Sequence, residues 1–197
     1  MISRLRGQLL TRTAEGLVEV ETASGVVYEV EVPLTVLQRI PTPGAPVELR
    51  THQVVSEDSV RLYGFLDDNE RGLFRLLMTV KGVGPKLALQ TLSAYSAHRL
   101  ARALAEKDVA ALTQISGVGR KTAERLALEL WDKVGYFAIA LVKDGAEPEA
   151  KRSHDAVAAL VALGYSFADA DEAVRRVIED GGADSSEELI RRALQRR

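Results

Sequence analysis

The chain has 197 residues, of which 46% are hydrophobic and 27% charged, with a formal net charge of −2, the balance of an ordinary globular protein. The absence of cysteine excludes disulfides, Cys-ligated zinc, iron–sulfur clusters and thiol catalysis. The three histidines, His52, His98 and His154, are far apart and lack metal-ligand spacing, so no metal and no cofactor is expected. No apolar run is long enough to cross a bilayer and the first ten residues lack the apolar core of a signal peptide, so a cytoplasmic protein without membrane contact is expected.

Residues 1–65 read as β structure. A first strand over 2–10 is followed by Leu17–Glu21 and Val26–Val32, which alternate apolar and acidic residues with the period of a half-buried strand, separated by the turn chemistry of Thr22-Ala23-Ser24-Gly25. Residues 47–55 and 60–65 form a second hairpin around Ser56-Glu57-Asp58-Ser59. Pro33 and the Pro41, Pro43, Gly44, Pro46 cluster place the longest non-strand connection between strands three and four. Five short strands predict a small Greek-key barrel such as an OB-fold.

From about Asp67 the period becomes helical: Leu73, Phe74, Leu76 and Leu77, then Leu87, Leu89 and Leu92, with further helices over 97–106, 109–115 and 121–133. Residues 143–152, polar with Gly and Pro, predict a linker. Three short helices follow; Gly164 and Gly181-Gly182 end the first two, and the capping signals Ser166…Asp169 and Ser185…Glu188 open the second and third. The expected domains are thus a barrel over 1–66, a helical middle over 67–142, a linker over 143–152 and a three-helix bundle over 153–197, a multi-domain α+β chain.

Charge is partitioned along these parts. Residues 1–69 hold 6 Lys and Arg against 10 Asp and Glu, residues 70–143 hold 12 against 6, and residues 144–197 hold 8 against 12. Only the middle is basic, and salt-sensitive attraction to phosphate is expected there.

That segment contains an internal repeat. Val80-Lys81-Gly82-Val83-Gly84-Pro85-Lys86-Leu87-Ala88 aligns with Ile115-Ser116-Gly117-Val118-Gly119-Arg120-Lys121-Thr122-Ala123. The glycines permit positive φ and leave each hairpin without side chains that would block close approach. Hairpin N–H groups and the positive end of the following helix then face a phosphate. Pro85 suits the first turn of a helix, and Lys81, Lys86, Arg120, Lys121 and Arg125 add charge. Val83 and Val118 pack inward, and Ala88 and Ala123 let helices approach. A lone Gly-Val-Gly is more often a helix C-cap and turn than a DNA grip; two aligned copies in the one basic segment point to DNA backbone contacts that carry almost no base information. The expected DNA-binding set is Lys81, Gly82, Val83, Gly84, Lys86, Gly117, Val118, Gly119, Arg120, Lys121 and Arg125.

A nucleotide-binding alternative fails on spacing. Gly117–Thr122 ends in Lys-Thr like a P-loop, but Arg120 stands where the last glycine is required and no strand precedes it. Glu57-Asp58 read in isolation is a solvated turn, a nuclease metal site needing further converging carboxylates. Trp131 and Tyr136 read as core and not as stacking platforms. A structure-specific nuclease or glycosylase using the same grip is the competing enzyme reading, but Ala123-Glu124-Arg125-Leu126 continues a helix and no Asp follows before Asp132.

The whole chain resembles the RuvA family of bacterial Holliday-junction-binding subunits. The resemblance rests on Met1–Gly7, Leu62-Tyr63-Gly64-Phe65, Gly82–Leu89, Gly117–Leu126 and Ala156–Tyr165, in the family's order. It implies an N-terminal OB-fold, a tandem helix-hairpin-helix domain and a C-terminal three-helix (UBA-like) domain. It also implies a homotetramer, in some cases an octamer on DNA, and a non-catalytic role in branch migration during recombination and DNA repair. The partners it implies are four-way junction DNA, the hexameric ATPase RuvB and, in the wider complex, the resolvase RuvC. Glu57 and Asp58 match the family's acidic pin; some members carry a basic residue where this chain has Ser56. Leu160, Leu163, Tyr165, Leu189 and Leu194 are candidates either for the motor-docking surface or for the bundle's own core.

Overall fold

The computed structural model describes residues 1–139, 148–181, 183 and 185–195. The chain divides into two compact units, Met1–Ala97 with Thr113–Thr122, and His98–Leu112 with Ala123–Arg197.

In the first unit, β1 (Arg4–Arg12), β2 (Leu17–Glu21), β3 (Val27–Glu31), β4 (Pro46–Val55) and β5 (Val60–Phe65) close a barrel in the order β1-β2-β3-β5-β4. All pairings are antiparallel except β3 with β5, which meet in parallel at Glu31 and Tyr63. Alternation drives the closure: every second residue, Leu5, Leu9, Val18, Val20, Val30, Val47 and Leu49 among them, points into one buried core. Gly7 is dictated by the same closure, since a Cβ there would lie 2.0 Å from the Glu21 carbonyl oxygen. The long proline-rich connection between β3 and β4 holds a short helix, α1 (Leu34–Leu37), that the sequence pattern did not predict.

The barrel leads into α2 (Asp68–Leu77), opened by Asp67, whose carboxylate accepts from the Glu70 amide at 2.8 Å. Glu70 is buried beside the Arg39 guanidinium and accepts from the Leu66 amide at 3.0 Å. Burial is the first cause that raises its carboxyl pKa, and neighbouring Asp67 adds to it. Phe74 of α2 meets the rings of His52, Tyr63 and Phe65 at centroid distances of 5.7, 5.1 and 5.0 Å, fixing the helix on the barrel. Next comes α3 (Pro85–Ala94), tied to α1 by hydrogen bonds from the Thr35 hydroxyl to the Leu92 carbonyl and from the Leu34 amide to Ser93 Oγ. The remaining helices of the middle are α4 (Ala97–Ala105), α5 (Val109–Thr113), α6 (Arg120–Leu130) and α7 (Gly135–Ile139).

The second unit packs α8 (Pro148–Ala162), α9 (Phe167–Glu179) and α10 (Ser186–Gln195) around Ala156, Leu160, Phe167, Val174, Val177 and Leu189. Both capping signals form: Ser166 Oγ accepts from the Asp169 amide at 3.1 Å and Ser185 Oγ from the Glu188 amide at 3.2 Å. Gly164 and Gly181 take the positive φ expected of helix-ending glycines, +96° and +106°; Gly182 lies outside the described residues. The linker reading needs correction over 148–152, which form the first turns of α8. Pro148 suits the first helical position, where its missing N–H is not needed, and Glu-Ala-Lys-Arg after it are strong helix formers. Residues 143–147 lie outside the described residues. Trp131 is half-buried with the Lys107 ammonium 3.9 Å from its ring centroid, a cation–π contact instead of full core burial; the Tyr136 side chain lies outside the described residues.

Candidate nucleic-acid interface

The two repeats fold into the same turn. In the first, Val80 and Val83 are buried, the Val83 amide donates to the Val80 carbonyl at 3.0 Å, and Gly82 sits at φ +88°. In the second, Ile115 and Val118 are buried, the Val118 amide donates to the Ile115 carbonyl at 2.9 Å, and Gly117 sits at φ +83°. Such φ values are the left-handed region, so the first glycine of each Gly-Val-Gly is required by the backbone itself. Each valine plugs the turn from inside, and Ala88 and Ala123 are fully buried.

The second glycine of each repeat is different. Gly84 has an extended backbone (φ −89°, ψ 176°) that any residue adopts, Gly119 has no positive φ, and a Cβ built at either would meet nothing within 4 Å. Nothing in the fold asks for glycine at these two places. Gly84 is also the N-cap of α3 and supplies no side-chain cap, with Pro85 at the first turn. Helix α6 begins directly after Gly119. Lys81, Lys86, Arg120, Lys121 and Arg125 are all exposed, and neither repeat contains an acidic residue. The structure therefore brings the Gly-Val-Gly turns, their helix starts and Lys81, Lys86, Arg120 and Lys121 to the surface of the first unit. Arg125 lies further along α6.

Glu57 and Asp58 occupy the exposed tip of the β4–β5 hairpin. Below them the Ser56 amide donates to the Ser59 carbonyl at 2.8 Å and the two serine hydroxyls lie 2.9 Å apart. Among the described residues no group of three or more His, Cys, Asp or Glu side chains could hold a metal ion, so the nuclease reading of this tip gains no further carboxylates. Among the described residues no helix is long and apolar enough to cross a membrane.

The five C-terminal candidates separate. Leu160 and Leu189 are 1% and 2% exposed and belong to the bundle core, because their helix faces point at the neighbouring helices. A docking role for these two is therefore withdrawn. Leu163 and Leu194 are 64% and 39% exposed, and Tyr165 is half-buried, its amide donating to the Leu160 carbonyl at 3.1 Å. Sequence reading missed Arg61, Tyr63 and Val54, which line a groove with Ser56, Ser59 and Lys86 between the acidic hairpin and the first repeat. The alternation of β4 and β5 puts these residues on one face, but only the fold sets Lys86 opposite them.

Comparisons with known proteins agree along the chain. Three family models match: the RuvA N terminal domain over residues 1–64, a SAM-like helix-hairpin-helix tandem over 74–132, and the RuvA C-terminal domain over 151–196. The chain is 46% identical over 196 residues to a protein of Gemmatimonas aurantiaca, covering 100% of this chain and 98% of that one. It is 45% identical over 203 residues to one of Pseudomonas entomophila and 43% identical over 201 residues to one of Thioalkalivibrio sulfidiphilus, in both cases covering 99% of this chain and 98% of the relative. All three relatives are named Holliday junction branch migration complex subunit RuvA. With identity of this order sustained from end to end, and with both terminal domain models matching in their places, the chain belongs to the RuvA family.

Proposed function

We propose that this chain binds four-way (Holliday) junction DNA by its backbones and serves branch migration as a non-catalytic subunit. The observation that carries the reading is the pair Gly84 and Gly119: the protein's own packing would accept a side chain at each, so glycine there serves the approach of something outside it. A phosphate fits that requirement. It would be met by the first-turn N–H groups of α3 and α6, by the positive helix ends, and by Lys86, Arg120 and Lys121. Gly82, Val83, Gly117 and Val118 shape the turns, and Lys81 and Arg125 extend the charged surface. Contacts of this kind position DNA without reading bases, as a complex that moves along changing sequence requires.

Four equivalent arms call for four equivalent sites, which a cyclic homotetramer supplies, with an octamer formed by two such rings. Glu57 and Asp58 of each subunit would then meet at the centre, where eight carboxylates repel phosphates and favour strand separation. The parts follow: a barrel with the OB-fold strand order over 1–66, the tandem helix-hairpin-helix over 67–142, and a UBA-like bundle from the start of α8 onward. The bundle offers Leu163, Tyr165 and Leu194 to the ATPase RuvB, which supplies ATP hydrolysis, with the resolvase RuvC in the wider complex.

A gel-shift titration at one fixed salt concentration tests this. A four-way junction should bind about 100-fold or more tighter than a linear duplex of equal length. Equal affinity for the two overturns it.

A further inference from the structure

The β4–β5 hairpin presents two faces. Its register pairs Val54 with Arg61 and Val55 with Val60, and Ser56 meets Ser59 at the turn, so Val54, Ser56, Ser59 and Arg61 share one side. That side forms the wall of a groove of about 430 Å³ whose opposite wall is Pro85 and Lys86, the first residues of α3. The groove thus runs from the base of the acidic tip to the first phosphate grip, within one compact unit.

We propose that this groove seats one nucleotide unpaired beside the crossover, its phosphate at Lys86 and its base against the hairpin wall. The proposal deepens the junction-binding reading and rests on it. The charges fix the orientation. Arg61 is balanced by Glu31 at 2.8 Å, so Lys86 is the groove's uncompensated cation among its lining residues. Glu57 and Asp58 lie just beyond the other end. A nucleotide in this field is driven with its phosphate away from the tip and toward Lys86. Its base then faces Ser56, Ser59 and Arg61. The two serine hydroxyls are hydrogen-bonded to each other with either able to donate, and a rotating hydroxyl offers a donor or an acceptor to any base edge. The seat is therefore tolerant of sequence. It offsets part of the few kcal/mol that unstacking a base requires, which repulsion at the tip alone does not return.

The test uses the full chain on a four-way junction with thymine at the crossover, probed by permanganate, which oxidises unstacked, accessible thymine. With the native chain the crossover thymine should be shielded. With Ser59→Tyr, which fills the groove, its reactivity should rise about threefold or more while junction affinity stays within about twofold, because affinity resides in the phosphate grips. Arg61→Met, which removes the polar wall without adding bulk, should raise reactivity in the same direction and serves if Ser59→Tyr fails to fold. Unchanged thymine reactivity in both variants, with junction preference intact, overturns the groove and leaves the binding reading standing. A native chain without junction preference in the accompanying gel overturns both.

Discussion

The two Gly-Val-Gly hairpins are one turn in two settings. Both hold their first glycine at positive φ, plug the turn with a buried valine and lead into a helix of ten or eleven residues. The first opens on Pro85 and a single lysine, Lys86, at the edge of the groove that reaches the acidic tip. The second opens on adjacent Arg120 and Lys121, and its Gly117 sits against α3, where an added Cβ would meet Leu87 Cδ1 at 3.2 Å and Gln90 Oε1 at 3.3 Å. The shared part is what the backbone needs, and the charge that follows the turn is what each setting adds. Within each copy a second contrast runs between the glycine that the fold demands and the glycine that it does not.

Replacing both undemanded glycines gives the largest expected effect. Gly84→Ala with Gly119→Ala places a methyl group where each phosphate must approach. Losing one charge-assisted hydrogen bond per hairpin amounts to about 3 kcal/mol in total, roughly 100-fold in junction affinity. Folding stability should move by no more than about 1 kcal/mol, since the cap preference for Gly over Ala is offset by a less flexible unfolded chain. A gel shift and a thermal melt of the same preparation read the two. If affinity holds while the melt is also unchanged, the phosphate reading of Gly84 and Gly119 is wrong.

The demanded glycine should behave in the opposite way. Gly117→Ala forces a side chain into the left-handed region and toward Leu87, at about 1–2 kcal/mol. A melting temperature lower by about 3–6 °C is expected for a chain of this size. A variant as stable as the parent would erase the distinction between the two glycines.

Charge separates the two hairpins by a smaller amount. Each phosphate contact contributes about 0.9 to the slope of log affinity against log salt on duplex DNA. Lys86→Ala should therefore flatten the slope by about 1, and Arg120→Ala with Lys121→Ala by about 2. Equal slopes for the two variants would mean that the settings differ in sequence and not in grip.

These contrasts also mark what the sequence discloses. The repeat is legible because a short turn is a local object: buried apolar lead, spacer, Gly-Val-Gly and helix start all lie within nine residues. The barrel strands are legible for a similar reason, their alternation being the imprint of one buried face, and Ser166 and Ser185, each followed three residues later by an acid, mark the residue just before a helix. Non-local juxtapositions are not legible. Nothing around Arg61 or Tyr63 indicates that Lys86 will face them, and nothing in the spacing of Leu160 in α8 and Leu163 just after it says that the first is buried and the second exposed. Helix α1 follows Pro33, and a proline marks a loop as readily as a helix start; Pro148 at the start of α8 carries the same ambiguity. Which of two glycines is strained depends on φ, which sequence spacing leaves open.

The smallest expected effect concerns how the first hairpin is mounted. His52 on β4 accepts a hydrogen bond at Nδ1 from Arg75 Nε of α2, 3.2 Å away, and its ring meets Phe74 edge-on. Helix α2 runs directly into the first repeat. Burial, then the nearby Arg75 and Arg71 guanidiniums, lowers the His52 pKa from its ordinary value of 6.5. The unfolded chain therefore takes up this proton at higher pH than the folded one. The resulting stability is complete above about pH 6.5 and is lost as pH falls from there through the lowered folded value. Protonation would also put a donor where Arg75 needs an acceptor. Melting temperatures at pH 7.5 and pH 5.5 should thus fall with pH, and His52→Gln, which keeps an acceptor and cannot titrate, should flatten part of that fall. Hydrogen exchange should show α2 and the first hairpin loosening before the second. An acid response of the same size in His52→Gln would place the sensitivity elsewhere, His98 being the next group whose pKa is lowered by burial.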